Sequence, residues 1–288
     1  MIWKIVLILY VLLIIRLIYS IILEYDNRNP VKTISWIFTV IFLPLIGILA
    51  YYMLGRNTSK RRSRFRKWRD EFNLRHKRTF KLDKNDPVYN EHYELKNLIY
   101  NVEHAPILSG NNIEVYPSGK IKFEHLLKDI DDATNHIHIF YYAIGDDVIG
   151  GKLKEKLIKK VKEGVAVRLI YDGLGCNKTK IKYFKQMKDA GVEVKAFLPL
   201  SFPRILRNIN YRNHKKIVII DGKIGYTGGI NVKDAYVDGL EWGKWNDTHF
   251  KIEGAGAQGL QSVFLADWFY VSGEYLESDR YYPTLGSP

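Results

Sequence analysis

The hydrophobic positions near the N-terminus form two long runs with no helical period. Ile2–Leu23 has only two charged residues, Lys4 and Arg16. As a helix it would be roughly 33 Å long, enough to cross a bilayer. A second run, Val31–Leu54, follows a short polar loop. We therefore predict a two-helix transmembrane hairpin over residues 1–55, with spans at about 2–23 and 31–54.

A cleaved signal peptide or a buried soluble hairpin would also be apolar. No small-x-small cleavage site follows the first run, and the second run comes almost immediately, so both alternatives are disfavoured. Pro44 and Gly47 would interrupt a soluble helix but are common in membrane spans. The sequence therefore favours two spans.

Beyond residue 110 the pattern changes to short β-rich runs that alternate with amphipathic stretches. Helices are predicted at 123–133, 147–163 and 179–190, and strands at 136–142, 165–171, 192–198 and 217–220. This alternation is typical of an α/β sandwich with helices covering a central sheet, over residues 111–288. Residues 56–110 form a basic segment and a connector with a helix at 90–102.

Charge and cysteine content narrow the function classes. The chain has a net charge of +13 and one cysteine, which excludes a disulfide framework and a cysteine-rich metal site. We expect no cofactor and no metal. Residues 56–78 carry 11 Lys or Arg and two acids, directly after the second span. This bias predicts a cell-membrane protein with the domain 111–288 in the cytoplasm, and an anionic membrane surface rather than nucleic acid as partner.

One motif carries recognisable chemistry. It reads His-x-Lys-x4-Asp-x6-Gly-Gly-x-Asn, and its members are His214, Lys216, Asp221, Gly228, Gly229 and Asn231. Residues two apart on a strand share a face, so an imidazole and an ammonium group would lie side by side and suit a phosphate oxyanion. Glycines let backbone N–H groups approach an anion, and the Asn adds an amide donor.

Other polar residues have two interpretations each. Asp247 and His249 either have a structural role at the start of a strand or act indirectly, by contacting the residues of the site. The basic stretch 204–216 is either a solvated loop or a rim for a polyanionic substrate. His136 and His138 lie on one face of a strand, and we interpret them as core or strand-edge residues.

The complete motif resembles the signature of the phospholipase D superfamily. Outside it, the apolar hairpin and the segments 140–146, 167–173, 245–254 and 265–268 resemble bacterial cardiolipin synthases. That resemblance implies one phospholipase D-like domain. It also implies an enzyme that joins two phosphatidylglycerol molecules, giving cardiolipin and releasing glycerol.

The resemblance also implies a role for each residue. His214 would attack the phosphodiester and form a phosphohistidine, or would protonate the leaving alkoxide. Lys216 and Asn231 would hold the non-bridging oxygens, and Asp221 would orient or polarise the histidine. Gly228 and Gly229 would allow close backbone approach. Alternatives are a phospholipase D hydrolase and a nuclease.

The motif occurs once, whereas members of the resembled family carry two. None of the other histidines has the required spacing. We therefore expect a truncated or split chain, a homodimer that brings two copies of His214 together, or an inactive half that binds lipid or a partner.

Overall fold

The computed structural model describes residues 2–23, 30–52, 93–103, 108–200, 212–241 and 243–285. The chain divides into two compact units. The first unit is Met1–Arg66 with Ser201–Tyr211, and the second is Lys67–Leu200 with Arg212–Pro288. Most of the predicted basic segment 56–78 and its connector lies outside the described residues.

The described part of the first unit is helical and apolar. It contains α1 (Ile2–Leu23), α2 (Pro30–Phe42) and α3 (Pro44–Ala50). Among the described residues only α1, over Trp3–Leu23, is long and apolar enough to cross a membrane. One small cluster joins these helices, and its buried members are Leu17, Ile21, Val40 and Tyr51. Most other apolar side chains of the unit are exposed.

The second apolar run is not one continuous helix, so the span expected at 31–54 is not confirmed. Proline has no backbone N–H to continue a helix, and α2 ends at Phe42, two residues before Pro44. A Cβ on Gly47 would lie 2.4 Å from the backbone oxygen of Thr39. Glycine at this position lets the bent segment pack directly on α2.

The second unit is built on a seven-stranded mixed sheet with the order β1-β7-β6-β5-β2-β3-β4. Its strands are β1 (Asn111–Tyr116), β2 (His136–Tyr141), β3 (Ala166–Asp172), β4 (Glu193–Phe197), β5 (Lys216–Ile220), β6 (Ile224–Gly228) and β7 (His249–Gly254). The helices are α4 (Tyr93–Glu103), α5 (Gly119–Asp131), α6 (Val148–Lys162), α7 (Ile181–Asp189) and α8 (Ala255–Ser272). Strands β2, β3 and β4 are parallel, and the other pairs are antiparallel.

Helices cover both faces of this sheet, as the alternating pattern predicted. On one face, α5, α6 and α7 contribute Leu126, Leu153 and Met187 to the larger core. On the other face, α8 packs Phe264 and Trp268 against the sheet. The predicted helices and strands between 123 and 220 are confirmed with ends shifted by a few residues. Strand β1 and helix α8 were not predicted.

The strand directions give the sheet two ends with different loops. Tyr141, the last residue of β2, pairs with Lys216, the first residue of β5. Gly228, the last residue of β6, likewise pairs with His249, the first of β7. We call this the His214 end, and its described connecting residues are 142–147, 173–180, 198–200, 212–215, 229–241 and 243–248. The opposite, Asp221 end holds the loops 132–135, 163–165, 190–192 and 221–223.

Candidate active site

The structure places His214 and Lys216 in direct contact at the His214 end. Lys216 is buried at the start of β5, whereas His214 precedes the strand and is exposed. The Lys216 Nζ lies 2.9 Å from Nδ1 of His214 and 2.9 Å from the His214 carbonyl oxygen. The predicted adjacency of the two side chains is confirmed.

Burial and neighbouring charges tune both groups. Burial lowers the pKa of Lys216 to about 8, although Asp247 opposes this shift. Burial and then Lys216 lower the pKa of His214, against the opposing charges of Asp172 and Asp247. At pH 7 the site therefore presents a neutral imidazole, able to act as a nucleophile, beside a largely protonated amine.

The residues that alternate with His214 and Lys216 anchor this segment to the other face of the sheet. Lys215 Nζ lies 2.7 Å from a carboxylate oxygen of Asp267 in α8, and Asn213 Nδ2 lies 3.5 Å from the other oxygen. Asp267 is fully buried; burial raises its pKa, and Lys215 opposes that shift. Because Asp267 holds both neighbours, it fixes the backbone that carries His214.

Tyr142, which directly follows β2, is a further residue at the site. Its ring centroid lies 4.4 Å from that of His214. Its backbone N–H donates to the Lys215 carbonyl over 2.9 Å. Behind it, the buried Cys176 Sγ lies 3.6 Å from the Tyr142 carbonyl oxygen. Burial raises the pKa of this thiol to about 12, so Cys176 packs here as a neutral group.

Asp221 does not reach the histidine, which corrects the role expected from the sequence. It lies at the far end of β5, and its carboxylate accepts bonds from the backbone N–H groups of Thr134, Asn135 and His136 at 2.8–2.9 Å. The Thr134 hydroxyl donates a fourth bond at 3.0 Å. Burial raises the pKa of Asp221, but these donors lower it by more. Asp221 therefore pins the 132–135 loop and is a structural residue.

Gly228 and Gly229 also differ from the expectation that they allow the backbone to approach an anion. The Gly229 N–H donates to the Thr248 carbonyl over 2.8 Å, so it is not free to bind an anion. A Cβ on Gly229 would lie 1.7 Å from Oδ1 of Asp247, and one on Gly228 would lie 2.5 Å from the Thr248 oxygen. The two glycines thus make room for Asp247 and Thr248, the residues just before β7, and the Asp247 carboxylate acts electrostatically on His214 and Lys216.

Asn231 is buried beside the site with half of its side-chain hydrogen-bonding capacity in use. Its Oδ1 accepts from the Ala143 N–H over 3.2 Å, and its Nδ2 donates to the Tyr236 hydroxyl over 2.8 Å. One N–H of the amide remains for a ligand. Tyr236 in turn packs against Trp245, with 5.0 Å between ring centroids.

Two buried residues with basic side chains, His249 and Lys122, lie near Lys216. His249 is fully buried, and neither ring nitrogen has a hydrogen-bond partner in the part of the chain that the structure describes. Burial, with Lys122 and Lys216, lowers the pKa of His249 to about 2. The buried Lys122 amine donates to the Tyr141 hydroxyl over 2.8 Å, and burial lowers the pKa of Lys122 strongly.

Sequence reasoning missed Lys122, although a signal was present. Lys122 lies four residues before Leu126 and eight before Ile130, and so falls on the apolar face of α5. A lysine in such a stripe indicates a buried amine. His136 and His138 are buried on the opposite face, where both contact Gln261, as expected for core residues.

The remaining predicted features are only partly described. Residues 201–211 of the basic stretch lie outside the described residues, while Arg212 donates to the Leu198 carbonyl over 2.6 Å and lies 3.6 Å from Asp172. Within the described ranges, no group of three or more His, Cys, Asp or Glu side chains could hold a metal ion.

Comparison with known proteins identifies similar families for both units. Residues 126–268 match a family model described as "Cardiolipin synthase, PLD-like domain". Residues 8–56 match a second model, described as "Phospholipase_D-nuclease N-terminal". The first match includes His214, Lys216, Asp221 and Asn231.

Curated relatives extend the similarity over nearly the whole chain. The chain is 36% identical to "Cardiolipin synthase 1" of Bacillus anthracis over 258 residues, covering 88% of this chain and 51% of the relative. It is 37% identical to "Major cardiolipin synthase ClsA" of Bacillus subtilis, covering 88% and 54%. A cardiolipin synthase of Oceanobacillus iheyensis is 37% identical, covering 91% and 57%. The chain spans about half the length of these relatives.

Proposed function

The chain belongs to the cardiolipin synthase family of the phospholipase D superfamily, and we propose that it is a membrane-bound phosphatidyltransferase. In the proposed reaction two phosphatidylglycerol molecules give cardiolipin and glycerol. The observation that carries this proposal is the exposed, neutral His214 in contact with Lys216, within a motif that retains its full spacing.

The proposed reaction has two displacement steps. An imidazole nitrogen of His214 attacks the phosphorus, the P–O bond to the terminal glycerol breaks, and glycerol leaves with a proton from an acid at the site. The terminal hydroxyl of a second phosphatidylglycerol then attacks the phosphohistidine. Its proton passes to that same group, which is now basic, and the P–N bond breaks. The net products are cardiolipin and glycerol.

Lys216 and Asn231 supply the electrostatic part of the proposal. The charged amine and the remaining amide N–H would hold the non-bridging oxygens as negative charge develops. Asp247 opposes the lowering of both pKa values and thus keeps Lys216 protonated at neutral pH. His249 lies behind Lys216 as a neutral neighbour that adds no second charge.

For the membrane part, we propose the two-span hairpin with the catalytic domain in the cytoplasm. The apolar α1, its packing against α2 and the basic residues 56–78 support this arrangement. A Lys223→Cys variant on a Cys176→Ala background tests it with an impermeant maleimide. Labelling only after the cells are opened is the expected result, and labelling of intact cells would contradict it.

We also propose that a second motif completes the site, from another copy of this chain or from a complementary half. The single motif and the half-length coverage of the relatives support this. Mixing wild-type chains with an excess of His214→Ala chains tests the homodimer. Activity should fall below the wild-type share of the mixture if two copies of His214 cooperate, and should equal that share if they do not.

Reconstituted protein with labelled phosphatidylglycerol tests the reaction itself. Labelled cardiolipin and free glycerol are the expected products. The second candidate is a phospholipase D hydrolase, which is favoured by one observation, the exposure of His214 to water. Accumulation of phosphatidic acid without cardiolipin would select that alternative, and formation of neither product would refute both.

A further inference from the structure

An exposed isoleucine with lysines on both sides of it in the sequence lies at the same end of the sheet as His214. Ile181, the first residue of α7, is 87% exposed. Lys178, Lys180 and Lys182 are exposed around it, and residues 173–182 contain no acid. At this exposure the Ile181 side chain removes little apolar area from water and so adds little to the core of the domain.

The loop that carries this isoleucine is fixed against the site. Cys176 lies against the carbonyl of Tyr142, the residue whose ring contacts His214. The Thr179 hydroxyl donates to the carbonyl of Ile144, two residues further along. The exposed tip therefore has a defined position relative to His214.

Further exposed apolar residues follow the neighbouring parallel strands. Val148 comes after β2 and is 66% exposed, and Leu200 comes after β4 and is 39% exposed. The Tyr183 hydroxyl donates to the Gly150 carbonyl over 2.7 Å, which ties the start of α6 to the start of α7. Because β2, β3 and β4 are adjacent strands, these side chains form one rim, defined here as Val148, Ile181 and Leu200.

The two ends of the sheet differ in this respect. No large hydrophobic side chain is exposed in the described loops at the Asp221 end. The exposed apolar residues Val148, Ile181 and Leu200 therefore lie at the His214 end, together with the exposed lysines next to Ile181. An exposed apolar side chain with exposed lysines next to it in the sequence matches an anionic bilayer surface, which has acyl chains below and phosphates at headgroup level.

We propose that this rim docks on anionic lipid and that Ile181 inserts at the membrane surface, so that the His214 end faces its substrate. The inference rests on the proposed function, because a lipid phosphodiester must reach His214 from the bilayer. Each lysine near an anionic surface strengthens binding about fivefold, so the three together contribute about a hundredfold to local docking. Nucleic acid would use the lysines but would gain nothing from Ile181.

A fluorescent label at position 181 tests docking without requiring activity. The full chain, as Ile181→Cys on a Cys176→Ala background, carries an environment-sensitive dye and is reconstituted in nanodiscs. Lys223→Cys, in the exposed turn at the Asp221 end, is the matched control. Discs contain either phosphatidylglycerol or only phosphatidylcholine, and each is measured with lipid-borne and aqueous quenchers.

The expected result is blue-shifted emission at position 181, quenched by the lipid-borne quencher, in anionic discs only. The label at 223 should respond only to the aqueous quencher. Lys178→Gln, Lys180→Gln and Lys182→Gln together should abolish the shift at 181. Equal responses at 181 and 223, a shift that ignores lipid charge, or a response to single-stranded DNA in place of lipid would each overturn the proposal. Because no turnover is measured, failure here is distinct from failure of the phosphatidyltransferase proposal.

Discussion

The two ends of strand β5 have different environments, although Lys216 and Asp221 are only five positions apart in the sequence. At one end, the exposed His214 contacts a lysine whose pKa burial has lowered to about 8. At the other end, Asp221 is enclosed by four donors and makes no contact with the site. A single short motif thus marks a reactive end and a structural end of the same sheet.

The residues of one sequence motif therefore need not have the same role in the protein. A strand of five residues is about 17 Å long, so its two ends cannot act on one phosphate. Loss of the exposed His214 side chain should therefore appear in activity with the fold intact. Losses at the Asp221 end should appear in stability, with the activity of each folded molecule retained.

The largest effect is expected from His214→Ala. Removing the proposed nucleophile should lower phosphatidyl transfer by about 10³-fold or more. The melting temperature should stay near that of wild type, because the side chain is exposed. Turnover of labelled phosphatidylglycerol and thermal unfolding in nanodiscs measure the two quantities. His125→Ala, another exposed histidine, serves as the control and should keep its activity.

Gly228→Ala tests the strand contact beneath the site. The new Cβ would meet the backbone of Thr248 at 2.5 Å, and Gly228 has a φ of 150°, so both contact and conformation oppose the change. We expect a loss of several kcal/mol in the free energy of unfolding, about 2–4.

Gly151→Ala is the matched control for that substitution. A Cβ there would have no atom within 4 Å, and the position is inside α6. The change should stabilise the protein by up to about 1 kcal/mol. If both alanines had the same effect on chemical unfolding, the close approach at Gly228 would be refuted.

Asp221→Ala should cost about 1–2 kcal/mol of stability, since it leaves the part-buried N–H of His136 and three more exposed donors without their acceptor. Asp221→Asn should cost less, because asparagine tolerates the positive φ of 54° and keeps one acceptor oxygen. Activity per folded molecule should remain near that of wild type. A drop in turnover comparable to that of His214→Ala would show that Asp221 acts on the histidine after all.

The same carboxylate gives a pH signature. Its pKa is lower in the folded protein than in the unfolded chain. Its contribution to stability is therefore complete above the unfolded value of about 3.9 and is lost as the pH falls toward the folded value. Unfolding at pH 6 and below pH 4 should show this loss in wild type and a smaller one in Asp221→Asn.

The smallest effect is expected in the pH profile of transfer. Activity should fall on the acid side as His214 becomes protonated, below its usual pKa of about 6.5, and on the alkaline side near pH 8 as Lys216 loses its proton. Asp247→Asn removes a charge that raises both pKa values. Both limbs should then move to lower pH, and an unchanged alkaline limb would remove Asp247 from the site.

Local patterns predicted much of this molecule. β-Branched runs located four of the seven strands, β2 to β5, and the two-residue period of a strand correctly placed His214 beside Lys216. Helix α8 escaped prediction because its polar residues, such as Gln261 and Asp267, do not separate from the apolar ones into an amphipathic period, and two glycines lie in its first turns. The helix break after Phe42 was not predicted, because proline is common in membrane helices and Pro44 was therefore accepted within a continuous span.

The roles that could not be predicted depend on partners distant in sequence. Asp221 receives its bonds from residues 85–87 positions earlier in the chain. Position 229 must be glycine because a Cβ there would collide with Asp247. Lys122 donates to the Tyr141 hydroxyl across the interface between α5 and the sheet. Spacing identifies which residues belong to a motif, whereas only the fold shows which way each side chain points.

Trapping the covalent intermediate tests the central claim most directly. The full chain in nanodiscs would be mixed with phosphatidylglycerol labelled at phosphorus, quenched in alkali to preserve phosphohistidine, and mapped by peptide mass. The account predicts label on the peptide that contains His214, in wild type and in Asp221→Asn, and none in His214→Ala. Label on another residue, or cardiolipin formed by His214→Ala, would contradict it.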